Sequence, residues 1–186
     1  MTQENPYRVL SSREVYDNPW IRVVEHQIVK PRGGEGIYGV VHFKNRAVGV
    51  VPYQDGKLWL VGQYRFPLGQ YSWELPEGGA PFDEDLEVCA ARELREETGL
   101  RADRFELLFS MHVSNSVTDE LAYVFLATGL TLGEAEPEDT EELAVLSLPL
   151  GEVLARIERG EITDSITVAS VFRVALLERD GRLETR

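Results

Sequence analysis

The sequence predicts a mixed α/β layer fold with a small antiparallel β appendage at its N-terminus. Three observations support this fold class. Strand-length segments rich in β-branched residues occupy the first part of the chain, a helical apolar stripe follows at 83–98, and strands and helices then continue at 105–177. Because the helices follow and interleave with strands, layers of sheet and helix are favoured over a helical bundle.

The appendage covers residues 1–45. A strand is expected at 20–29, a turn at 31–36 containing two adjacent glycines, and a second strand at 37–43. These two strands are predicted to form an antiparallel pair with little core of its own. The pair must therefore pack on the main domain, residues 46–186, or on a partner subunit.

The main domain begins with a hairpin whose strands, 47–52 and 58–64, flank the turn residues Asp55 and Gly56. The segment 72–79 then runs from a short strand into a glycine loop. The helix at 83–98 ends at Gly99, which suits a left-handed C-terminal cap. The helix's buried stripe is predicted at Leu86, Cys89, Ala90 and Leu94. Later strands are expected at 105–112, 122–127 and 144–148, and helices at 150–159 and 165–177.

Composition narrows the class of protein. Apolar residues make up 43% of the 186 residues, the formal net charge is −13, and Cys89 is the only cysteine. These features exclude a disulfide framework and a cysteine-rich zinc site, and they disfavour binding to nucleic acid. No secretory signal is evident, and no apolar segment reaches the ~18–20 residues that span a bilayer. We expect a soluble cytoplasmic protein that contacts neither membrane nor nucleic acid.

Three acids of the predicted helix, Glu93, Glu96 and Glu97, share one face. Like charges at this spacing repel each other, and hard divalent cations such as Mg²⁺ prefer the oxygen ligands that carboxylates supply. The alternative is a solvated acidic face paired with Arg92 and Arg95. The helix alone favours that alternative, because helices rich in Glu and Arg are common.

The surroundings of the helix favour a metal site instead. A glycine loop at 77–79 precedes it and lets the backbone approach a ligand closely. Together, loop and helix read Gly78-x5-Glu84-x7-Arg92-Glu93-Leu94-x-Glu96-Glu97-x-Gly99-Leu100. This segment resembles the Nudix box at every defined position. The resemblance implies a Nudix-type α/β/α sandwich with a mixed sheet, whose loop and helix hold catalytic Mg²⁺, with Mn²⁺ as a substitute.

The resemblance also assigns roles to the box residues. The implied metal ligands are the side chains of Glu93 and Glu97, with Glu96 close by, and the backbone carbonyl of Glu77. Glu84 and Arg92 are implied to brace loop and helix through a salt bridge, whereas Gly78 and Gly99 meet backbone requirements. Because metal-assisted attack by water needs no protein nucleophile, Cys89 on the apolar stripe is interpreted as a core residue.

Segments outside the box resemble the ADP-ribose pyrophosphatase and nucleoside diphosphate sugar hydrolase branch. They are 15–21, 60–67 and 73–79, and the similarity covers roughly residues 10 to 180. It implies a homodimer whose N-terminal strands swap between subunits. The implied substrate contacts are Arg65 to the diphosphate, Glu74 and Glu120 to a sugar hydroxyl, and Trp20 or Tyr16 to a base from the partner subunit. Each also has a plainer interpretation as surface charge, solvated acid or packing aromatic.

In this branch the general base comes from a mobile acidic loop after the box. The candidate loop here is 134–142, with Glu138 and Glu141 as the first candidates and Asp139 next; the alternative is an acidic loop without a catalytic role. The segment 114–120 departs from the branch, because it lacks the proline of a Ser-Pro-Gly-type turn. That departure leaves the base and sugar of the substrate open.

The leading hypothesis is Mg²⁺-dependent hydrolysis of the pyrophosphate bond of ADP-ribose or a related nucleoside diphosphate sugar, giving a nucleoside monophosphate and a sugar phosphate. A GDP-mannose-type sugar, a dinucleoside polyphosphate and coenzyme A are alternative substrates, whereas the acidic charge disfavours RNA decapping. A second class is a non-catalytic Nudix module that binds a nucleotide; the retention of every box acid argues against it. A purely structural acidic domain leaves the complete box unexplained.

Overall fold

The computed structural model describes residues 4–133 and 143–183. The elements follow in chain order: β1 Arg8–Asp17, β2 Ile21–Val29, β3 Glu35–Phe43, β4 Arg46–Gln54, β5 Lys57–Arg65, β6 Gln70–Glu74, β7 Glu77–Ala80, α1 Leu86–Thr98, β8 Leu100–His112, β9 Leu121–Leu132, β10 Ala144–Pro149, α2 Leu150–Glu158 and α3 Ser165–Arg179.

The main sheet is mixed, as the sequence predicts. Its strands lie in the order β10-β5-β4-β9-β8, with β6 paired to β5 and β7 paired to β4. β4 and β9 run parallel, and the remaining pairs are antiparallel. β4 therefore holds a central position, with β9 along one edge and β5 and β7 sharing the other.

The β4–β5 hairpin opens into a fork that holds the glycine loop. Its turn residues, Asp55 and Gly56, have φ of 52° and 73°, as a two-residue turn with left-handed backbone requires. β4 and β5 pair only at the two positions nearest the turn and then separate. β6 and β7 fill the opening, and Val50 N donates to Pro76 O at 2.8 Å between them. The glycine loop predicted at 77–79 is therefore a sheet strand, because all three of its residues lie in β7 and pair with β4.

Helices cover both faces of this sheet, which confirms the α/β/α sandwich. α1 packs on one face, where Val48, Val50, Cys89, Ala90 and Leu94 are buried together. α2 and α3 pack on the opposite face, in a cluster that includes Val51, Leu58, Leu60, Val153 and Val171. None of the helices in residues 4–133 and 143–183 is long and apolar enough to cross a membrane.

Helix α1, which carries the box residues, begins later than predicted. α1 begins at Leu86 and not at residue 83, because the Asp85 side chain accepts from Glu87 N and Val88 N and caps the helix. The end agrees with the prediction. Gly99 has φ of 72°, and its N–H donates to Arg95 O, which makes it a left-handed cap. The predicted stripe is buried except for Leu86, which is half-buried.

The N-terminal sheet has three strands and not two. β1 pairs antiparallel with β2, and β2 with β3. The predicted antiparallel pair is confirmed as β2 and β3. The additional strand β1 was not predicted, because it carries no alternation of buried and exposed side chains: all ten of its residues are exposed. A strand without a buried face lacks the period-two pattern by which strands are recognised.

Candidate active site

Two adjoining cavities lie where the glycine loop meets α1, β5 and the start of α3. The smaller, about 560 Å³, reaches Glu74 and the segment 163–166. The larger, about 750 Å³, reaches Trp20, Arg92 and Glu93. Ala47, Arg65, Glu77, Gly78 and Glu120 line both cavities. The two cavities therefore meet at the glycine-rich segment that contains Gly78.

Gly78 leaves space for the carboxylate of Glu93. A Cβ at this position would lie 2.1 Å from Glu93 Cδ, far inside van der Waals contact. Gly78 belongs to β7 and pairs with Val48, so its backbone is held by the sheet while the helix acid lies against it. The close approach gives a physical reason for glycine at the first position of the box.

Glu97 ties the helix to the same loop. Its Oε2 accepts a hydrogen bond from Glu77 N at 3.0 Å, and the side chain is buried. Glu96 is more accessible and forms ion pairs with Arg92 and Arg95. These three of the four helix acids are therefore differently placed: Glu93 and Glu97 face the loop, and Glu96 lies among arginines.

Arg92 joins the loop to the helix as the resemblance implied. Its Nε and Nη2 donate to the Glu84 carboxylate at 3.3 Å each, and Nη2 donates to Gly79 O at 3.3 Å. Nη1 lies 2.8 Å from Glu93 Oε1 and donates to Glu96 Oε2 at 3.0 Å. The guanidinium therefore lies between Glu93 and Glu96, two acids that the Nudix-box resemblance implies are metal ligands.

Arg65 is held by two acids of the β5–β6–β7 region, Glu74, which is buried, and Glu77, which is partly buried. Its Nε and Nη2 donate to the Glu74 carboxylate, and Nη2 also donates to Glu77 at 3.0 Å. Burial raises the pKa of Glu74, but the hydrogen bonds and charge of Arg65 outweigh burial, and the pKa is lowered. Burial, and then the charges of Asp164 and Glu74, raise the pKa of Glu77 well above its usual value.

The remaining expected substrate contacts also line the cavities. Glu120 is half-buried at their junction, and burial followed by the charge of Asp164 raises its pKa. Trp20 is 68% exposed and lines the larger cavity of its own chain. Tyr16 is exposed, and its hydroxyl accepts from Asn18 Nδ2. The expected base residues Glu138, Asp139 and Glu141 lie outside the described residues.

Two cavity residues were not recognised from the sequence. Arg46 donates to Pro81 O at 2.7 Å and to Glu84 O, and so anchors the segment between loop and helix. Asp164 caps α3 by accepting from Thr167 N at 2.7 Å, and it lines the smaller cavity. An aspartate just before a helix reads as an N-cap, so its sequence context gives no sign of a second role.

The donor groups of the site are of the kind that binds a divalent metal, but their present contacts are with other protein groups. Within the described residues, no three acidic, histidine or cysteine side chains already converge at ion-binding distance. Arg92 separates Glu93 from Glu96, and Glu97 accepts from the backbone. The donors are nevertheless carboxylate oxygens of the kind hard cations prefer, and Glu77 Oε2 is buried without a hydrogen bond within the described ranges. The residue types therefore fit a divalent cation. To bind it, Glu93 and Glu96 would have to replace their contacts with Arg92 by contacts with the cation.

The fold and the acidic box helix define a Nudix-type domain, and comparison with known proteins agrees. The NUDIX domain model matches residues 43–167, and the model described as nucleoside diphosphate sugar hydrolase N-terminal domain matches residues 7–41. The chain belongs to the Nudix family, which confirms the resemblance seen in its sequence. It is a Nudix pyrophosphohydrolase, and enzymes of this family generally need a divalent metal.

Relatives match over nearly the whole chain. The ADP-ribose pyrophosphatase of Mycobacterium tuberculosis is 36% identical, over 92% of this chain and 84% of its own length. The ADP-sugar pyrophosphatase of Mus musculus is 27% identical, over 94% of this chain and 89% of its own length. A crystal structure of an ADP compounds hydrolase superposes with a TM-score of 0.85 at 22% identity, covering 98% of this chain and all of that one. This likeness supports the fold.

Proposed function

We propose that the protein hydrolyses the pyrophosphate bond of ADP-ribose or a related nucleoside diphosphate sugar, giving a nucleoside monophosphate and a sugar phosphate. One observation carries this proposal: two cavities adjoin at Gly78, against which the Glu93 carboxylate lies. A nucleotide sugar has two halves joined by a diphosphate, so it suits a cavity in two parts with metal-binding acids at the join. The names of the Mycobacterium tuberculosis and Mus musculus relatives support the same substrate class.

The proposed metal is Mg²⁺, with Mn²⁺ as a substitute. Glu93 and Glu97 would hold it, with Glu96 beside them and the Glu77 carbonyl as a backbone ligand. A bound divalent cation neutralises the diphosphate and polarises the attacking water. Arg92 would keep the loop and helix in register through Glu84, and the burial of Glu93 and Glu97 would limit their motion.

The substrate contacts follow from the cavity lining. Arg65 would contact the diphosphate through the guanidinium nitrogen that Glu74 and Glu77 leave uncommitted, while these two acids orient it. Glu120 would accept from a sugar hydroxyl, and Trp20 would stack on the base. The proposed general base is Glu138 or Glu141, with Asp139 next.

We further propose a cytoplasmic homodimer formed through residues 1–45. Large apolar side chains are exposed on the N-terminal sheet, which is unusual for a surface that faces only water. They include Val9, Leu10, Val15, Tyr16 and Ile37. Light scattering coupled to gel filtration should give twice the mass of one chain; a monomer at micromolar concentration would contradict the proposal.

Replacing Gly78 with alanine tests the proposed metal site. Because the added Cβ would overlap the Glu93 carboxylate, we expect this side chain to swing aside and kcat to fall about a hundredfold. The displaced group is the end of a flexible side chain, so the protein should still fold. Gly151→Ala is the matched control, since its Cβ would meet nothing within 4 Å. Equal kcat in the wild type and Gly78→Ala would contradict the close packing of loop and acid.

A screen of nucleotide sugars with identification of both products tests the function. The wild type should release AMP and ribose 5-phosphate from ADP-ribose with Mg²⁺ or Mn²⁺, and release should stop with a chelator. Faster turnover of GDP-mannose or a dinucleoside polyphosphate would reassign the substrate within the family. Tight binding of ADP-ribose without turnover, in either metal, would support a nucleotide-binding module instead.

A further inference from the structure

The N-terminal sheet is hydrogen-bonded to the rest of its chain at one place only, within the described residues. Val41 N donates to Val117 O at 2.9 Å, and the Tyr38 hydroxyl donates to Ser116 O at 3.0 Å. A bridge also pairs Val41 with Thr118 in parallel. All these contacts go from β3 to the β8–β9 loop, residues 113–120.

A charged contact lies beside these backbone bonds. His42 Nδ1 is 2.6 Å from Asp119 Oδ2, an arrangement in which the ring nitrogen donates to the carboxylate. The His42 side chain is 27% exposed and that of Asp119 is 57% exposed. This is the only side-chain-to-side-chain hydrogen bond that the described residues make between the N-terminal sheet and the Nudix domain.

The residue after Asp119 is Glu120, which lines both cavities. Glu120 N donates to Thr118 Oγ1 at 3.1 Å, so its backbone is tied to the segment that β3 holds. The Glu120 carboxylate accepts no hydrogen bond from the described residues. Its position therefore depends on the backbone of the loop, and the loop depends on β3.

We propose that the N-terminal sheet positions Glu120 in the cavity, with His42 as the positioning residue that acts through Asp119. The proposal rests on the proposed function, in which Glu120 contacts the substrate. It goes beyond a role of residues 1–45 in subunit association, because the contact lies within one chain and ends at the active site. Loss of the contact would weaken substrate binding and leave the metal-binding acids of α1 in place.

Replacing His42 with alanine is expected to raise KM about fivefold to tenfold, with kcat within about twofold of wild type. His42→Asn should restore much of the binding, because an asparagine Nδ2 occupies nearly the position of Nδ1 and can donate to Asp119. His26→Ala is the matched control. His26 lies on the same sheet, and within the described residues its side chain hydrogen-bonds only to Ser12. Loss of the His26 side chain should therefore leave KM unchanged.

A double-mutant cycle tests whether His42 acts through its partner. Asp119→Ala should match His42→Ala in its effect on KM, and the double variant should be no worse than either single one. Additive effects, or an unchanged KM in both single variants while the wild type hydrolyses nucleotide sugars, would overturn the inference and leave the function intact.

Hydrogen–deuterium exchange tests the inference without reference to activity. Peptides that cover residues 114–121 should exchange faster in His42→Ala than in the wild type, and His26→Ala should not change them. If the wild type proved inactive on every nucleotide sugar, the proposed function would fail while this measurement still decided the coupling. Unchanged exchange in His42→Ala would overturn it.

Discussion

Replacing Glu97 with glutamine is expected to lower Mg²⁺-dependent kcat by about a thousandfold or more, because a neutral amide binds a divalent cation far more weakly than a carboxylate. The substitution is nearly isosteric. A glutamine Oε1 can still accept from Glu77 N, so the hydrogen bond between helix and loop is preserved. We therefore expect the free energy of unfolding to change little while activity collapses.

Steady-state kinetics across a Mg²⁺ titration measures this effect. Glu87→Gln is the matched control, because Glu87 lies in the first turn of the same helix and is exposed. It should retain full activity. A Glu97→Gln enzyme with kcat near that of the wild type would show that Glu97 is not a metal ligand, and a large loss of stability would show that its charge has a structural role.

Replacing Arg65 with methionine is expected to lower the free energy of unfolding by about 2–3 kcal/mol, because Glu74 is buried although the Arg65 side chain is 36% exposed. Methionine keeps much of the apolar stem but removes the guanidinium that pairs with Glu74 and Glu77. Glu74 is 2% exposed, so its negative charge would stay buried without a partner. Leaving a buried carboxylate without its partner is more costly than losing an exposed ion pair. Urea denaturation, followed by fluorescence, gives the difference.

Two comparisons separate the effect of the buried Glu74 carboxylate from a general effect of losing an arginine. Arg65→Met combined with Glu74→Gln should be more stable than Arg65→Met alone, because the second change removes one uncompensated charge. Arg13→Met removes a pair with Glu25 whose arginine side chain is 72% exposed, and should cost less than about 1 kcal/mol. A cost for Arg65→Met as small as that for Arg13→Met would contradict the burial argument.

Much of the fold was predictable because its signals are local. The hairpin turn at Asp55 and Gly56, and the cap at Gly99, depend on residues that favour a left-handed backbone. The start of α1 was misplaced by three residues because Asp83, Glu84 and Asp85 all suit a helix start. Only the structure distinguishes Asp85, whose carboxylate reaches the free N–H groups.

The site was predictable to the extent that it lies in one segment. The spacing from Gly78 to Leu100 identifies the box, and the structure brings Gly78 against Glu93. The relation of Arg65 to Glu74 and Glu77 depends on pairing between β5 and β6 and on the corner before β7, and no local pattern encodes it. Asp164 joins the site from a helix much later in the chain, so its proximity to Glu120 arises only in three dimensions.

The parallel pairing of β4 with β9 affects how the protein can fold during its synthesis on the ribosome. Ala47 pairs with Ala122, and Pro52 with Ala127, so one edge of β4 has no partner until the ribosome has released most of the chain. During that interval Val48, Val50 and Val51, which are buried in the finished protein, lie on a strand whose backbone edge is unpaired. Non-local pairing of this kind slows folding and exposes a strand edge to other chains. Slow translation lengthens this interval, so at high expression it should favour aggregation of incomplete chains before the finished protein can form.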